Sequence, residues 1–283
     1  MIPTLLEDYK KFEKIMKKVD ISSSAIDTSN ERFLAPTTLI PLLCYAEKNN
    51  INKFYLHKNT EGYVERILNR KETSTTIPYQ KLPISSKERQ EKELSKQMVD
   101  RISRKWGTTF GGSWTLRYIF TELTNNIYDH TSFEEHFASQ GYTYAQHYPN
   151  KNVLDLCVMD DGLSIPGRLK KEGISFDDEC HAIEKAINNI STSPEPHNPR
   201  GDGLWSTIRL VVEGNGGNVL IVSGKGLLHI KSIKDYKYKI LNNEHLFKGT
   251  LISLRLRNNE VEHFYDYIDF YPGKKYEYKG DLE

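Results

Sequence analysis

The stretch TELTNNIYDHT, residues 121–131, places Glu122, Asn126, Asp129 and His130 within roughly a 100° arc of a helix at about 100° per residue. Leu116, Ile119, Phe120, Leu123 and Ile127 fill the adjoining arc. The polar stripe therefore borders the apolar face instead of opposing it, and its groups would line the edge of a cavity. Asn and Asp compete for backbone hydrogen bonds and weaken a helix, so something other than helix stability favours them, or they sit on an ordinary wet face. A second site candidate follows the apolar run NVLDLCVM in DDGLSIPG, residues 160–167. There Asp160 could accept a hydrogen bond from an exocyclic amine, while Gly162 lets a flat ring lie close to the main chain. The alternative is a plain Asp-Gly turn. A third lies in PRGDGLWSTIRLVVEGNGG, where Gly201 and Gly203 stand immediately before a helix. Bare amides and the helix dipole there suit a phosphate, although Gly-x-Gly also fits a simple helix start.

These groups need elements to hold them. Residues 1–72 read as helix, strand, helix, strand, helix, and residues 73–86, with two prolines and many hydroxyls, read as a linker. A charged helix with Leu94, Met98, Ile102 and Trp106 at four-residue intervals leads into the second half, its stripe suited to docking on a neighbour. From about residue 107 the pattern is α/β. NVLDLCVM alternates Leu154, Leu156 and Val158 on one face, and NVLIV, LLHIKSI and GTLISLRLR follow as strands. Consecutive strands late in a chain predict antiparallel pairing, with helices gathered on one face of the sheet. Gly224-Lys225-Gly226 lacks phosphate-loop spacing and reads as a hairpin turn. The segment of roughly forty residues between the two glycine sites ends in STSPEPHNPR, a polar, proline-broken stretch of the kind that forms lids. The tail 258–283 is rich in tyrosine and charge and suggests no role.

Bulk properties narrow the class. Lys+Arg of 39 against Asp+Glu of 38 gives a net charge of +1, so no global field draws the chain to nucleic acid or membrane. Cys44, Cys157 and Cys180 are sparse, odd in number and without metal or redox spacing, which fits a reducing, cytoplasmic setting. The N-terminus reads as an amphipathic helix, not a leader, and no apolar run approaches the roughly 20 residues that span a bilayer.

Taken in order, Glu-x-x-x-Asn-x-x-Asp-His, Asp-x-Gly, a lid, Gly-x-Gly-Leu and Gly-Thr resemble the four boxes of the GHKL superfamily of ATP-binding domains. The resemblance spans about residues 105–257. It implies the α+β two-layer sandwich of the Bergerat type, with ATP and Mg²⁺ as ligands. Asn126 would be the direct Mg²⁺ ligand, Asp160 would hold the adenine amine, and Gly162 would shape the pocket. Asp129 and His130 would line the site, and Arg200, Gly201, Gly203 and Leu204 belong to the phosphate box. Thr250 would back Asp160. Ser164 stands where many members have a second glycine. Glu122 matches the glutamate that takes a proton in members that hydrolyse ATP or phosphorylate serine. The helix before it carries no histidine, which argues against a histidine autokinase. Residues 33–68 also resemble the second half of a STAS domain, with Thr37 at its phosphorylatable position and the acidic residue and serines replaced.

The expectation is thus a small STAS-like α/β module over 1–72, a linker and charged helix over 73–104, a GHKL domain over 105–257 and a tail. Its function would be an ATPase or serine/threonine kinase that switches protein partners with nucleotide state, with a homodimer allowed and nucleic acid disfavoured. The rivals are a non-catalytic ATP-dependent binding module and a DNA-associated GHKL ATPase.

Overall fold

A computed structural model describes residues 2–19, 25–82, 91–130, 140–188, 203–242, 249–268 and 276–280, apart from the side chains of 91–94, 129 and 130. The N-terminal part runs α1 (Leu5–Met16), β1 (Ala25–Thr28), α2 (Pro36–Lys48), β2 (Lys53–Leu56) and α3 (Glu61–Leu68), the order read from the sequence. Local chemistry fixes its helix starts. Thr4 and Glu7 form a reciprocal capping box on α1, and Pro36 opens α2, where its missing N–H has no helical partner to lose. β1 and β2 pair in parallel as a separate two-stranded sheet.

The remainder builds on β3 (Thr76–Lys81), α4 (Glu91–Trp106), β4 (Phe110–Gly111), α5 (Ser113–His130), β5 (Gly141–Tyr148), β6 (Val153–Asp160), α6 (Ser164–Lys171) and α7 (Glu179–Ile187). It continues with α8 (Gly203–Arg209), which runs on as a π-helical turn over Leu210–Gly214, then β7 (Asn218–Ser223), β8 (Gly226–Ser232), β9 (Asp235–Ile240), β10 (Thr250–Arg257), β11 (Asn259–Glu260) and α9 (Tyr265–Ile268). Seven strands form one antiparallel sheet in the order β3-β5-β6-β10-β7-β8-β9, and β4 pairs with β11 apart from it. Among the described residues no helix is long and apolar enough to cross a membrane.

Strand alternation gives the sheet two apolar faces. Leu154, Leu156, Val158, Ile221, Ile252 and Leu254 pack under α4, α5, α7 and α8. Cys157, Met159, Leu220, Val222 and Leu251 pack under the N-terminal helices. The mixed α/β class and antiparallel pairing hold, but the expected gathering of helices on one face does not. Each large apolar side chain fully buried is worth about 1.5–3 kcal/mol, so the second face needs a cover, and Tyr9, Phe12, Leu39, Leu43 and Ile67 supply it. The presumed linker is corrected too: residues 76–81 form edge strand β3, and Pro78 sits where the β3–β5 register shifts, as an edge permits. Met98 and Ile102 of the α4 stripe are buried in the first core.

Polar groups join the N-terminal layer to the sheet at chosen points. Thr37 is fully buried, its hydroxyl 2.6 Å from Ser253 Oγ, which lies 3.0 Å from Cys157 Sγ. Its hydroxyl is therefore closed to phosphorylation while α2 is docked. Arg255 donates to both carboxylate oxygens of Asp155, at 2.7 and 2.8 Å, and lies 3.7 Å from Asp8 of α1. Burial, reinforced by Asp155, pushes the Asp8 carboxyl up to about 7. Replacing Arg255 with Ala would strand Asp155 in a buried site, so Arg255→Ala should cost about 3–5 kcal/mol in urea-induced unfolding at neutral pH. A loss below about 1 kcal/mol would mean the ion pair is not buried as described.

Candidate functional site

Register brings three site residues into one row. Thr250, first in β10, pairs with Asp160 at the end of β6 on one side and with Ser223 at the end of β7 on the other. Beyond Asp160 the row continues to Gly141 of β5. Asp160 shares its parity with Leu154, Leu156 and Val158, and Thr250 with Ile252 and Leu254, so both belong to the face that α5 covers. The Ser223 and Thr250 hydroxyls are 2.8 Å apart, and Ile165 N donates to Ser223 Oγ at 2.8 Å. Ser223 carried no sequence signal beyond its place before the Gly224 turn, so the sequence reading missed it.

The neighbouring aspartates have different duties. Asp161 faces the N-terminal layer, where Lys48 Nζ of α2 lies 2.9 Å from its Oδ2 and Gln140 N donates to its Oδ1. Asp160 is 8 % exposed and accepts from Gly162 N at 2.8 Å. Burial pushes its carboxyl up to about 7, helped by the charge of Asp161 and opposed by backbone hydrogen bonds from Gly162 and Thr250. A carboxylate has about four lone-pair positions, so these bonds leave room for another donor. The Asp160–Gly162 bond is also what an ordinary Asp-Gly turn makes. Ser164 adopts φ +68, a left-handed conformation that favours glycine. Its hydroxyl accepts from Gly167 N at 3.3 Å as α6 begins.

Glycines allow the close approaches around this row. A β-carbon at Gly141 would come within 2.7 Å of Leu82 Cδ1 and 3.1 Å of Ile127 Cγ2, which brings α5 down beside Asp160 one residue from Asn126. Gly249 has φ +106, and a β-carbon there would lie 2.1 Å from the Asp160 carbonyl oxygen. A β-carbon at Gly203, first in α8, would lie 2.0 Å from Glu122 Oε2. Glu122 and Gly203 are 81 residues apart in the chain yet packed together, with the carboxylate beside the positive end of α8. Leu204 is buried beside that contact.

Of the remaining candidates, Asn126 is half-buried on α5. Asp129 and His130 lie on the last turn of α5, with side chains outside the described residues, as are Arg200 and Gly201 altogether. Among the described residues no three His, Cys, Asp or Glu side chains gather into a metal centre. A cavity of about 480 Å³ lies elsewhere, at the opposite ends of the strands, lined by Lys151, Asn218, Arg257 and Asn258 among others. None of the predicted site residues lines it.

No family model matches the chain, and no curated protein matches it. Among solved structures it is similar to the histidine kinase domain from Erythrobacter litoralis EL346 blue-light activated histidine kinase. The identity is 10 %, over 93 % of this chain and 100 % of that one, with a TM-score of 0.29.

The close approach at Gly249 yields a test of the row. Gly249→Ala should destabilise the fold by at least the roughly 1–2 kcal/mol of a left-handed alanine, with the clash against Asp160 adding to it. Thermal unfolding would show this, and an unchanged midpoint would place Gly249 away from the Asp160 backbone.

Proposed function

We propose that this protein binds Mg·ATP as GHKL proteins do, hydrolyses or transfers the γ-phosphate, and alters its protein contacts with nucleotide state. The observation that carries the reading is Asp160 itself. It is a buried carboxylate at the end of a central strand, on the α5 face, braced by Gly162 and by Thr250, with Gly141 beside it. An exocyclic amine fits such a position because it donates to an acceptor that burial has left short of water. The same residues would stand there under a simple turn, but the order of the four sequence boxes favours the nucleotide.

Each residue then has a role. Asp160 accepts from the adenine amine, Gly162 and Ser164 shape the ring's floor, and Thr250 with Ser223 braces Asp160 from the next strands. Gly203 and Leu204 start the helix that would face phosphate, together with Arg200 and Gly201. Asn126 would supply the one protein oxygen to Mg²⁺, which keeps its other positions for phosphate and water, and the metal would neutralise phosphate charge. Asp129 and His130 would complete the wall. Glu122, held against Gly203, is the group that would take the proton from an attacking water or hydroxyl. A protein partner is the expected acceptor or listener. Thr37 is unsuited to the acceptor role, since its hydroxyl is buried and bonded to Ser253.

Phosphate release and protein-bound label, followed separately with γ-labelled ATP, test the chemistry. Glu122→Gln should lower turnover by roughly 10²–10⁴-fold while leaving ATP affinity near wild type. Binding without release or transfer in the wild type, partner present, would leave only a binding module.

The Asp160 carboxyl adds a pH test. With its value raised to about 7, the ionised acceptor grows as pH rises through about 7, and an amine donor stabilises that form. Affinity for adenosine, which has no titrating phosphate, should therefore rise across that interval and level off above it. The dependence should vanish in Asp160→Asn, and a flat wild-type profile would count against Asp160 as the acceptor.

A further inference from the structure

Two described parts of the C-terminal segment, which sequence patterns left without a role, pack against the helix that begins at Gly203, one through 261–267 and one through 276–278. Near the far end of that helix, the Tyr267 ring of α9 lies 5.6 Å from the Arg209 guanidinium. At the close of its π turn, a β-carbon at Gly214 would come within 2.8 Å of Val261 and 3.2 Å of Tyr267. Near its start, Tyr276 is 2 % exposed and packs edge-on against Trp205 at 5.9 Å.

Tyr276 is itself fastened. Its ring meets Tyr236 of edge strand β9 at 5.3 Å, and its carbonyl accepts from Tyr238 OH at 2.7 Å. Two residues on, the Tyr278 ring lies 5.2 Å from Tyr238, and its hydroxyl donates to Asp178 Oδ2. Asp178 caps α7 through its other oxygen, which accepts from Cys180 N and His181 N at 2.8 and 2.9 Å. The segment thus ties β9, α7 and α8 to one another. On its other side α8 meets α5 through the Glu122–Gly203 contact, so its first turn is held between the tail and α5. A helix held on both sides cannot shift its first turn without moving one of them, because a gap of about 0.5–1 Å already forfeits a quarter to a half of a packed contact.

We infer that the C-terminal segment is a collar on α8 and that Tyr276 is a positioning residue for the Glu122–Gly203 contact. The functional consequence rests on the nucleotide reading of that contact. Tyr276 acts through its ring and not its hydroxyl, which is buried without a hydrogen-bond partner among the described residues. Tyr276→Phe should therefore behave as wild type, whereas Tyr276→Ala should release the start of α8.

Hydrogen exchange on the full chain without nucleotide reads the collar directly. Tyr276→Ala should speed exchange over 204–214 by about tenfold or more, with α1 and α2 unchanged and Tyr276→Phe matching wild type. With Mg·ATP, the alanine variant should lose kcat more than it raises KM. Unchanged exchange over 204–214 in Tyr276→Ala overturns the collar. If that variant loosens every element alike, Tyr278→Phe decides, because it removes one hydrogen bond and keeps the ring. Faster exchange at α7 and α8 alone supports the collar, and no change there overturns it. A wild type that binds no ATP would sink the nucleotide reading while leaving the exchange result valid.

Discussion

β6 carries Asp155 and Asp160 into the interior of the fold, with Asp161 directly after its end, and the two-residue alternation of the backbone decides what each can do. Asp155 points to the N-terminal layer and is neutralised there by Arg255. Asp161 goes the same way and meets Lys48. Asp160, one residue earlier in phase, turns to the α5 face, where it accepts from backbone amides and feels Lys48 only as a charge that lowers its carboxyl without a direct bond. A one-residue slip of β6 would exchange these environments, bringing Asp160 under α2 and Asp161 under α5. The buried core on both faces makes such a slip prohibitive.

The second layer therefore does more than hide apolar surface. Lys48 of α2 takes Asp161 and Arg255 of β10 takes Asp155 on the face that this layer covers, so Asp160 is the one of the three carboxylates turned to the other side. The α5 side in turn depends on missing side chains. Gly141 admits Ile127, Gly249 admits the Asp160 backbone and Gly203 admits Glu122. These approaches seat α5 on the start of α8 at Glu122 and on β5 at Ile127, where Gly141 pairs with Asp160.

Much of this was readable in advance where a pattern has one physical cause. The alternation of Leu154, Leu156 and Val158 and of Ile252, Leu254 and Leu256 is the apolar face that α5 covers. The N-terminal element order and the hairpin at Gly224-Lys225 also followed from local signals, since β7 ends at Ser223 and β8 begins at Gly226. β3 was hidden because Pro78 and its neighbouring hydroxyls mark a loop unless an edge position is known. β5, GYTYAQHY, was hidden because both faces are buried and its polar residues are satisfied by tertiary partners, such as Gln146 by Tyr63. Ser253 and Arg255 alternate like a wet face, and only docking of α1 and α2 reveals that they are buried. The part played by Tyr276 lay in contacts more than thirty residues distant in the chain, which no local pattern encodes.

The most direct test of the account is a calorimetric comparison of ATP and GTP binding in the presence of Mg²⁺, well above pH 7 where the Asp160 carboxyl is ionised. The two share their phosphates and differ at the position Asp160 is held to read, an amine donor in one and a carbonyl acceptor in the other. A carboxylate facing a carbonyl forfeits its hydrogen bond and leaves two acceptors opposed, a loss of at least ~1.4 kcal/mol, or about tenfold. The account predicts one ATP per chain with GTP weaker by at least that factor. Equal affinity for the two, or binding of neither, would contradict it.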